Sequence, residues 1–378
     1  MTDKPKDTKT GGLAGVVAGK TAIATVGKEG AGLTYFGYDI EDLAGNACFE
    51  EVAYLILNRE LPNKTQFKKF KKELEENRSI TINLREIVKH MPKRAHPMDV
   101  ARTVVSVMGL EDKDTSNNSP QANMRKAIRI FAKTPTAIAA FFRARKGKNV
   151  ISPKKGLSFS ENFFYMCFGE MPNKEIIKAF DVSLILYAEH SFNVSTFTAR
   201  TITSSLSDIH SAITGAIGSL KGPLHGGANE EVMNMMNKIK KPENAFKWIN
   251  NALDKKEVVM GFGHRVYKKG DSRVPTMEKY FKKISKIKND KKFNKIYDVV
   301  KKVMINRKDI HPNVDYPTGP TYHLMGFETD FFTPIFVMSR ITGWSAHIME
   351  QHAANKLIRP LSKYSGEKHR KVILLNQR

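Results

Sequence analysis

Cysteine is nearly absent from this 378-residue chain: Cys48 and Cys167 are the only two, far apart in sequence. Two thiols build no disulfide scaffold, and such sparse use of cysteine predicts a reducing, cytoplasmic setting. Long apolar runs are also missing. No stretch approaches the ~18 uninterrupted apolar residues of a membrane-spanning helix, so no membrane role is expected. The first ten residues are polar, and Lys20 interrupts the Gly/Ala/Val-rich stretch that follows, which is not the pattern of a secretory signal. Metal-ligand spacing is absent as well: there is no HExxH and no Cys/His cluster, and no metal is expected. His347 and His352, five apart, fall about 140° apart around a helix and read as two unrelated polar-face histidines.

Acidic residues are scarce too, 38 against 62 lysines and arginines, for a net charge of +24. A basic surface suits nucleic acid or small polyanionic substrates, or serves solubility alone. The lysine pairs (Lys68–Lys69, Lys71–Lys72, Lys282–Lys283, Lys301–Lys302) are scattered over helical patterns and carry no interleaved aromatics. No nucleic-acid partner is expected.

What the chain does have is helical periodicity. Phe49, Val52, Ala53 and Ile56 repeat at i, i+3, i+4, i+7, and Phe67, Phe70 and Leu74 continue the pattern after Leu61–Pro62. Pro97 opens another helix through Val100, Val104 and Val107. Further helices are predicted near 120–133, 135–146, 159–168, 173–189, 194–220, 226–240, 243–255, 275–304 and 328–354. Thr21–Val26 and Leu33–Phe36 form the exception, a small hairpin. The fold class is therefore all-α with an N-terminal β-hairpin. Glycine-bearing turns at His225–Gly227 and after Asp315–Gly319 are candidate hinges. They divide the chain into a large domain, 1–225 plus 326–378, and a small one, 226–325.

Two apparent nucleotide motifs fail. Gly15–Thr21 lacks the first glycine of a phosphate-binding loop, and Gly261-Phe262-Gly263 has Val266 where a dinucleotide fingerprint needs its third glycine. No nucleotide cofactor is expected. Three histidine- or carboxylate-bearing segments remain. Pro223–Asn229 puts His225 at a helix start, where unpaired amides favour a neutral imidazole. Gly261–Tyr267 puts His264 behind two glycines that admit a ligand close to the backbone. Pro312–Pro317 sets Asp315 between a polar turn and an apolar helix. One such histidine is most often structural; three such segments in one chain point to acid–base chemistry.

These segments, GPLHGGAN, MGFGHRVYKKGDSR and NVDYPTG, occur in order together with Tyr187–Asn193 and an arginine-bearing carboxyl end. From about Gly12 onward the chain closely resembles the citrate synthase family, and within it the short bacterial enzymes that make citrate or 2-methylcitrate. The resemblance implies a two-domain helical fold and condensation of an acyl-CoA with oxaloacetate, followed by thioester hydrolysis. It also implies no cofactor beyond the coenzyme A thioester substrate. It assigns Asp315 as the base, His225 as the enolate-stabilising donor and His264 as the acid at the oxaloacetate carbonyl. His190, Arg273, Arg340 and Arg359 match oxaloacetate ligands, with Ser191 standing where many relatives carry an acid. Val258, Val259, Met260, Gly261, Phe262 and Gly263 match the coenzyme A site. Lys268, with Lys269 beside it, sits where relatives have a phosphate-binding basic residue, although solvated lysines fit there equally. A citrate-cleaving relative would need a nucleotide-grasping portion, which this sequence lacks.

The acyl group is open at this level. Tyr187 and Phe192 resemble the propionyl-using branch, so 2-methylcitrate is favoured over citrate, while both residues also fit a core. Arg340 and Arg359 are 19 positions apart, roughly 28 Å on one straight helix, too far to clamp one four-carbon dicarboxylate. Either the chain doubles back near 355–360, or Arg359 serves the partner's site in a homodimer; the resemblance favours the second.

Overall fold

The computed structural model describes residues 12–13, 15–27, 32–264, 266–267 and 270–378. Lys268 and Lys269 lie outside the described residues. The described chain is mostly helical and begins with a small antiparallel sheet, β1 (Ala24–Val26), β2 (Leu33–Tyr35) and β3 (Tyr38–Asp39). The sequence suggests only the first two strands. The third joins through a two-residue Phe36–Gly37 turn with φ of 47° and 88°, the left-handed pair that a tight hairpin requires. Phenylalanine is an unusual occupant of that turn, which hides it in the sequence.

The helices run α1 (Ile40–Asn46), α2 (Phe49–Asn58), α3 (Lys64–Asn77), α4 (Ile82–His90) and α5 (Pro97–Glu111). Next come α6 (Pro120–Ala144), α7 (Phe159–Phe168), α8 (Lys174–Tyr187), α9 (Val194–Ser204) and α10 (Ile209–Leu220). The chain continues with α11 (Ala228–Ile239), α12 (Pro242–Asp254), α13 (Val274–Ile287), α14 (Lys292–Lys308), α15 (Asp315–Leu324) and α16 (Phe332–Ala353). Many starts are set by a side chain that accepts a first-turn amide, as Asn63, Thr81, Ser119, Ser158, Asn193 and Asp208 do.

Four predicted boundaries change. The 194–220 segment divides because Leu206 adopts φ 66° and Asp208 starts a new helix. The 275–304 segment divides at Asn289, φ 51°, ahead of α14. Conversely, α6 runs through Pro135 unbroken, with the Thr134 hydroxyl bonded to Ile130 O at 2.7 Å. Asp315–Gly319, ahead of the expected hinge turn, is helical as the start of α15, and the chain turns after it at Met325–Gly326. Its Gly319 allows the close crossing with α11, since a Cβ there would lie 2.8 Å from Asn229 O.

At the centre runs α16, buried nearly all round from Phe332 to Ile348. This overturns the polar-face reading of His347, which is completely buried; only His352 is partly exposed. A phenylalanine cluster joins α7, α8 and the approach to α16, with Phe163 stacked on Phe180 at 5.7 Å. Helices α11 to α15 pack largely on one another, α11 on α15, α12 on α14 and α13 on α15. The sheet reaches the middle of the molecule: Tyr35 OH donates to the Ile185 and Glu189 carbonyls at 3.0 and 3.1 Å. That pins the end of α8, from which the candidate site is built.

Candidate active site

The His225 imidazole lies in the tight turn between α10 and α11, where Gly226 N donates to Leu220 O at 2.9 Å. Its Nε2 accepts the Ser195 backbone N–H at 3.1 Å and lies 2.8 Å from the Ser195 hydroxyl. An amide can only donate, so the ring proton is on Nδ1 and the imidazole is neutral. Burial, with Arg340 nearby, brings the pKa down to about 3. The expected helix-start effect therefore comes from a different helix: the amide belongs to the first turn of α9, and α11 supplies none. Ser195 is itself held, its Oγ accepting from Trp344 Nε1 at 3.1 Å and lying 2.7 Å from Asn193 Oδ1.

His264 carries its proton on the other nitrogen. Nδ1 accepts the amides of Val266 and Tyr267 at 3.1 and 3.2 Å, which leaves Nε2–H as the donor. Burial and then Arg273 depress its pKa to about 4. The His190 ring lies 5.1 Å away, buried, with Nε2 unpartnered; burial and the neighbouring cations hold it well below the usual histidine range. The three imidazoles are thus neutral, and two of them have a defined donor.

Asp315 opens α15 and receives the Tyr187 hydroxyl on Oδ1 at 2.6 Å. Burial pushes its pKa up to about 6; the Tyr187 bond, Arg273 and Arg340 oppose the rise. Arg273 is buried and paired with Asp271, Nε to Oδ1 at 2.9 Å and Nη2 to Oδ2 at 2.7 Å. Arg340 differs. It is 1% exposed, its Nε donates to Tyr187 O at 2.6 Å, and it makes no salt bridge among the described residues. Burial lowers its pKa to about 10. A buried guanidinium without a counter-ion is costly, and the arrangement suits an incoming anion.

Behind Arg340, Glu189 is fully buried, accepting His347 Nε2 at 2.9 Å and the Ser191 amide on the same oxygen. Gly343 leaves room for the other oxygen, which a Cβ would meet. So the carboxylate in this region precedes His190, and Ser191 contributes its amide. Phe192 stands over Arg200 at 4.6 Å and beside the His347 ring at 5.6 Å, which accounts for it by packing.

The segment 258–263 links α12 to the Gly263–His264 turn. Val258 is exposed and Val259 buried. Gly261 and Gly263 have φ of 84° and 77°, and Phe262 bridges to Pro312. The close approach at Gly261 is made by this chain's own Val232 and Tyr316, 2.5 and 3.0 Å from where a Cβ would stand. Gly261 is thus required by packing within this chain, whereas Gly263 has only an ordinary contact with Ile310 and borders a cleft. Beside the turn, a cleft of about 240 Å³ is lined by His264, Tyr267, Gly270, Asp271, Ile310 and His311, among others.

Arg359 is not brought to these residues. It is exposed beyond α16, and its neighbour Ile358 donates its amide to Ser204 Oγ at 3.0 Å. Ser204 ends α9, whereas Ser195, at the His225 contact, begins it. Nine residues of helix separate the two ends by about 13 Å. Residues that the sequence reading passed over are Tyr187 as a partner of Asp315, and Asp271, Ser195, Trp344 and Glu189. Asp271 stands inside GDSR and Glu189 directly before His190, so position beside a motif residue was the available signal.

A family model described as "Citrate synthase, C-terminal domain" matches residues 12–361. The chain is 50% identical over 372 residues to 2-methylcitrate synthase 2 of Corynebacterium glutamicum, covering 97% of each chain. It is 49% identical over 362 residues to a citrate synthase of Mycolicibacterium smegmatis, covering 96% of each. A citrate synthase of Thermoplasma acidophilum, solved as a ternary complex with carboxymethyl coenzyme A and oxaloacetate, superposes with a TM-score of 0.91. That alignment has 31% identity and covers 96% of this chain and 98% of that one. With the match extending over nearly its whole length, the chain belongs to the citrate synthase family of condensing acyltransferases.

Proposed function

We propose that this chain condenses propionyl-CoA or acetyl-CoA with oxaloacetate and water, giving 2-methylcitrate or citrate and free coenzyme A. The observation that carries this reading is Arg340, a buried guanidinium with no salt bridge among the described residues, near two neutral imidazoles and a partly buried carboxylate. Arg340, Arg273 and His190 take the oxaloacetate carboxylates and keto group, and bidentate guanidinium pairing fits such groups. Asp315 removes the α-proton of the acyl group. Nδ1–H of His225 donates to the thioester oxygen as it becomes an enolate, a fixed dipole that needs no reorganisation during reaction. The enolate carbon bonds to the keto carbon of oxaloacetate, and Nε2–H of His264 protonates the resulting alkoxide. Water then cleaves the thioester and releases the thiol. Val258–Gly263 and Lys268 hold the coenzyme.

Propionyl-CoA is the preferred partner in this reading, in keeping with Tyr187, although a single methylene discriminates by only about 1–3 kcal/mol. Release of coenzyme A thiol with oxaloacetate, followed side by side for the two thioesters, should give propionyl-CoA a kcat/KM at least comparable to that of acetyl-CoA. A strong acetyl preference reverses the assignment.

Residues 226–325 form the smaller domain and 1–225 with 326–378 the larger. Glu230, in the first turn of α11, accepts the Thr333 amide at 3.3 Å and lies 3.2 Å from His96 Nε2, which makes a natural pivot. Oxaloacetate closes the smaller domain and dries the site for the enolate. Small-angle scattering should show a smaller radius of gyration with oxaloacetate; identical curves count against closure. The chain acts as a homodimer in which Arg359 completes the partner's site.

A further inference from the structure

Tyr187 has so far been read as a marker of acyl choice, but its contacts describe something else. Its ring is 1% exposed and lies 4.1 Å from the Phe336 ring centroid. Its carbonyl accepts Arg340 Nε at 2.6 Å, and its hydroxyl donates to Asp315 Oδ1 at 2.6 Å. One residue, at the end of α8, therefore touches both a candidate oxaloacetate clamp and the candidate base. It joins them across two packing units, since Asp315 starts α15 and Arg340 sits in α16.

We propose that Tyr187 is a positioning residue for Asp315, its hydroxyl fixing Oδ1 so that Oδ2 is the oxygen that takes the α-proton. The proposal rests on Asp315 being the base and deepens that assignment. The physical argument is one of geometry and charge. A carboxylate on the first residue of a helix can rotate about its Cα–Cβ and Cβ–Cγ bonds, and the backbone amide of Asp315, donated to Asn313 Oδ1 at 3.1 Å, holds only the main chain. The phenol removes that rotational freedom at the cost of no charge. Because the ring is buried against Phe336 and the main chain is tied to Arg340, the hydroxyl has little room to follow if the base moves. A phenol donating to a carboxylate also favours its ionised form.

The other groups that bear on Asp315 are Arg273, ahead of α13, and Arg340 of α16, which favour ionisation, and Asp271 and Tyr322, which oppose it or are raised by it. All four stay in place in Tyr187→Phe, so the effect of the hydroxyl can be isolated. A hydrogen bond to a charged group distinguishes the two protonation states by about one tenfold step. The acid limb of the kcat–pH profile should therefore move up by about one pH unit in Tyr187→Phe, while the KM for oxaloacetate stays within about twofold.

A second variant works in the opposite direction. Difluorotyrosine at position 187 keeps the size and the hydroxyl but makes it a stronger donor, so the acid limb should move down. A loss in Tyr187→Phe of the same factor at every pH, or limbs that do not move, overturns the proposal. If Tyr187→Phe fails to fold, the fluorotyrosine enzyme decides alone, and an unmoved limb overturns it. Asp315→Asn separates the two levels: unmoved limbs with a dead Asp315→Asn remove Tyr187 only, whereas an active Asp315→Asn removes the base assignment itself.

Discussion

Asp315→Asn should lose about 10²–10⁴ in kcat while binding oxaloacetate within about twofold of the wild type. The amide still offers an oxygen to the Tyr187 hydroxyl, so the local structure is retained, but it cannot accept the α-proton. Calorimetric titration with oxaloacetate and a thiol-release assay read the two quantities separately. Near-normal turnover would remove Asp315 from the mechanism. The wild-type profile supplies a second check. The base works only when ionised, and its pKa is raised to about 6, so kcat should fall as the pH drops below that value. The same shift has a sign for stability. The folded carboxyl holds its proton more tightly than the unfolded one, so its contribution is present at low pH and lost as the pH rises from the ordinary carboxylate range through about 6. The Asn variant has no such loss. At pH 8 it should melt no lower than the wild type, which would mark Asp315 as a group kept for chemistry at some expense of stability.

Mixing two inactive variants should restore activity if Arg359 acts across a dimer. The chain carries Ile358 to the far end of α9 from His225, and a line of apolar side chains beyond it, among them Leu361 at 90% and Val372 at 88% exposed, has no cover in the single chain. Burying such groups is favourable, and a second copy of the chain is the surface at hand. Asp315→Asn spoils the site of its own chain, whereas Arg359→Ala spoils the site of its partner. In a mixed dimer one site keeps both residues. Random exchange puts about half of the protein in mixed dimers, so about a quarter of wild-type activity should return. No recovery after demonstrated exchange would remove Arg359 from the partner's site. Asp315→Asn serves this test better than a change at Arg340, whose burial makes its removal a packing defect as well.

The helices were legible because their apolar periodicity is a local property. Val100, Val104 and Val107 report α5, and Pro97 reports its start, without reference to any other element. The family was legible for a related reason: GPLHGGAN, the GFGHR run and NVDYPTG are contiguous, so nearness in sequence already holds most of the reacting groups in short segments. The breaks were less legible. Leu206 turns the chain with a positive φ that leucine rarely adopts, Asn289 turns it with one that asparagine tolerates in many contexts other than a helix break, and Pro135 stays inside a helix that local rules would end.

What only the tertiary structure decided is the state of each group. His225 is neutral with its proton on Nδ1 because an amide from α9, 30 positions earlier, meets Nε2. Among the described residues Arg340 makes no salt bridge because α16 passes through the centre of the molecule, where burial removes water and Tyr187 O accepts its Nε–H. Tyr187 reaches Asp315 across 128 positions. Composition and spacing name the residue types a reaction needs. Protonation, tautomer and charge compensation depend on desolvation and on partners from distant segments, and those exist only once the chain has packed.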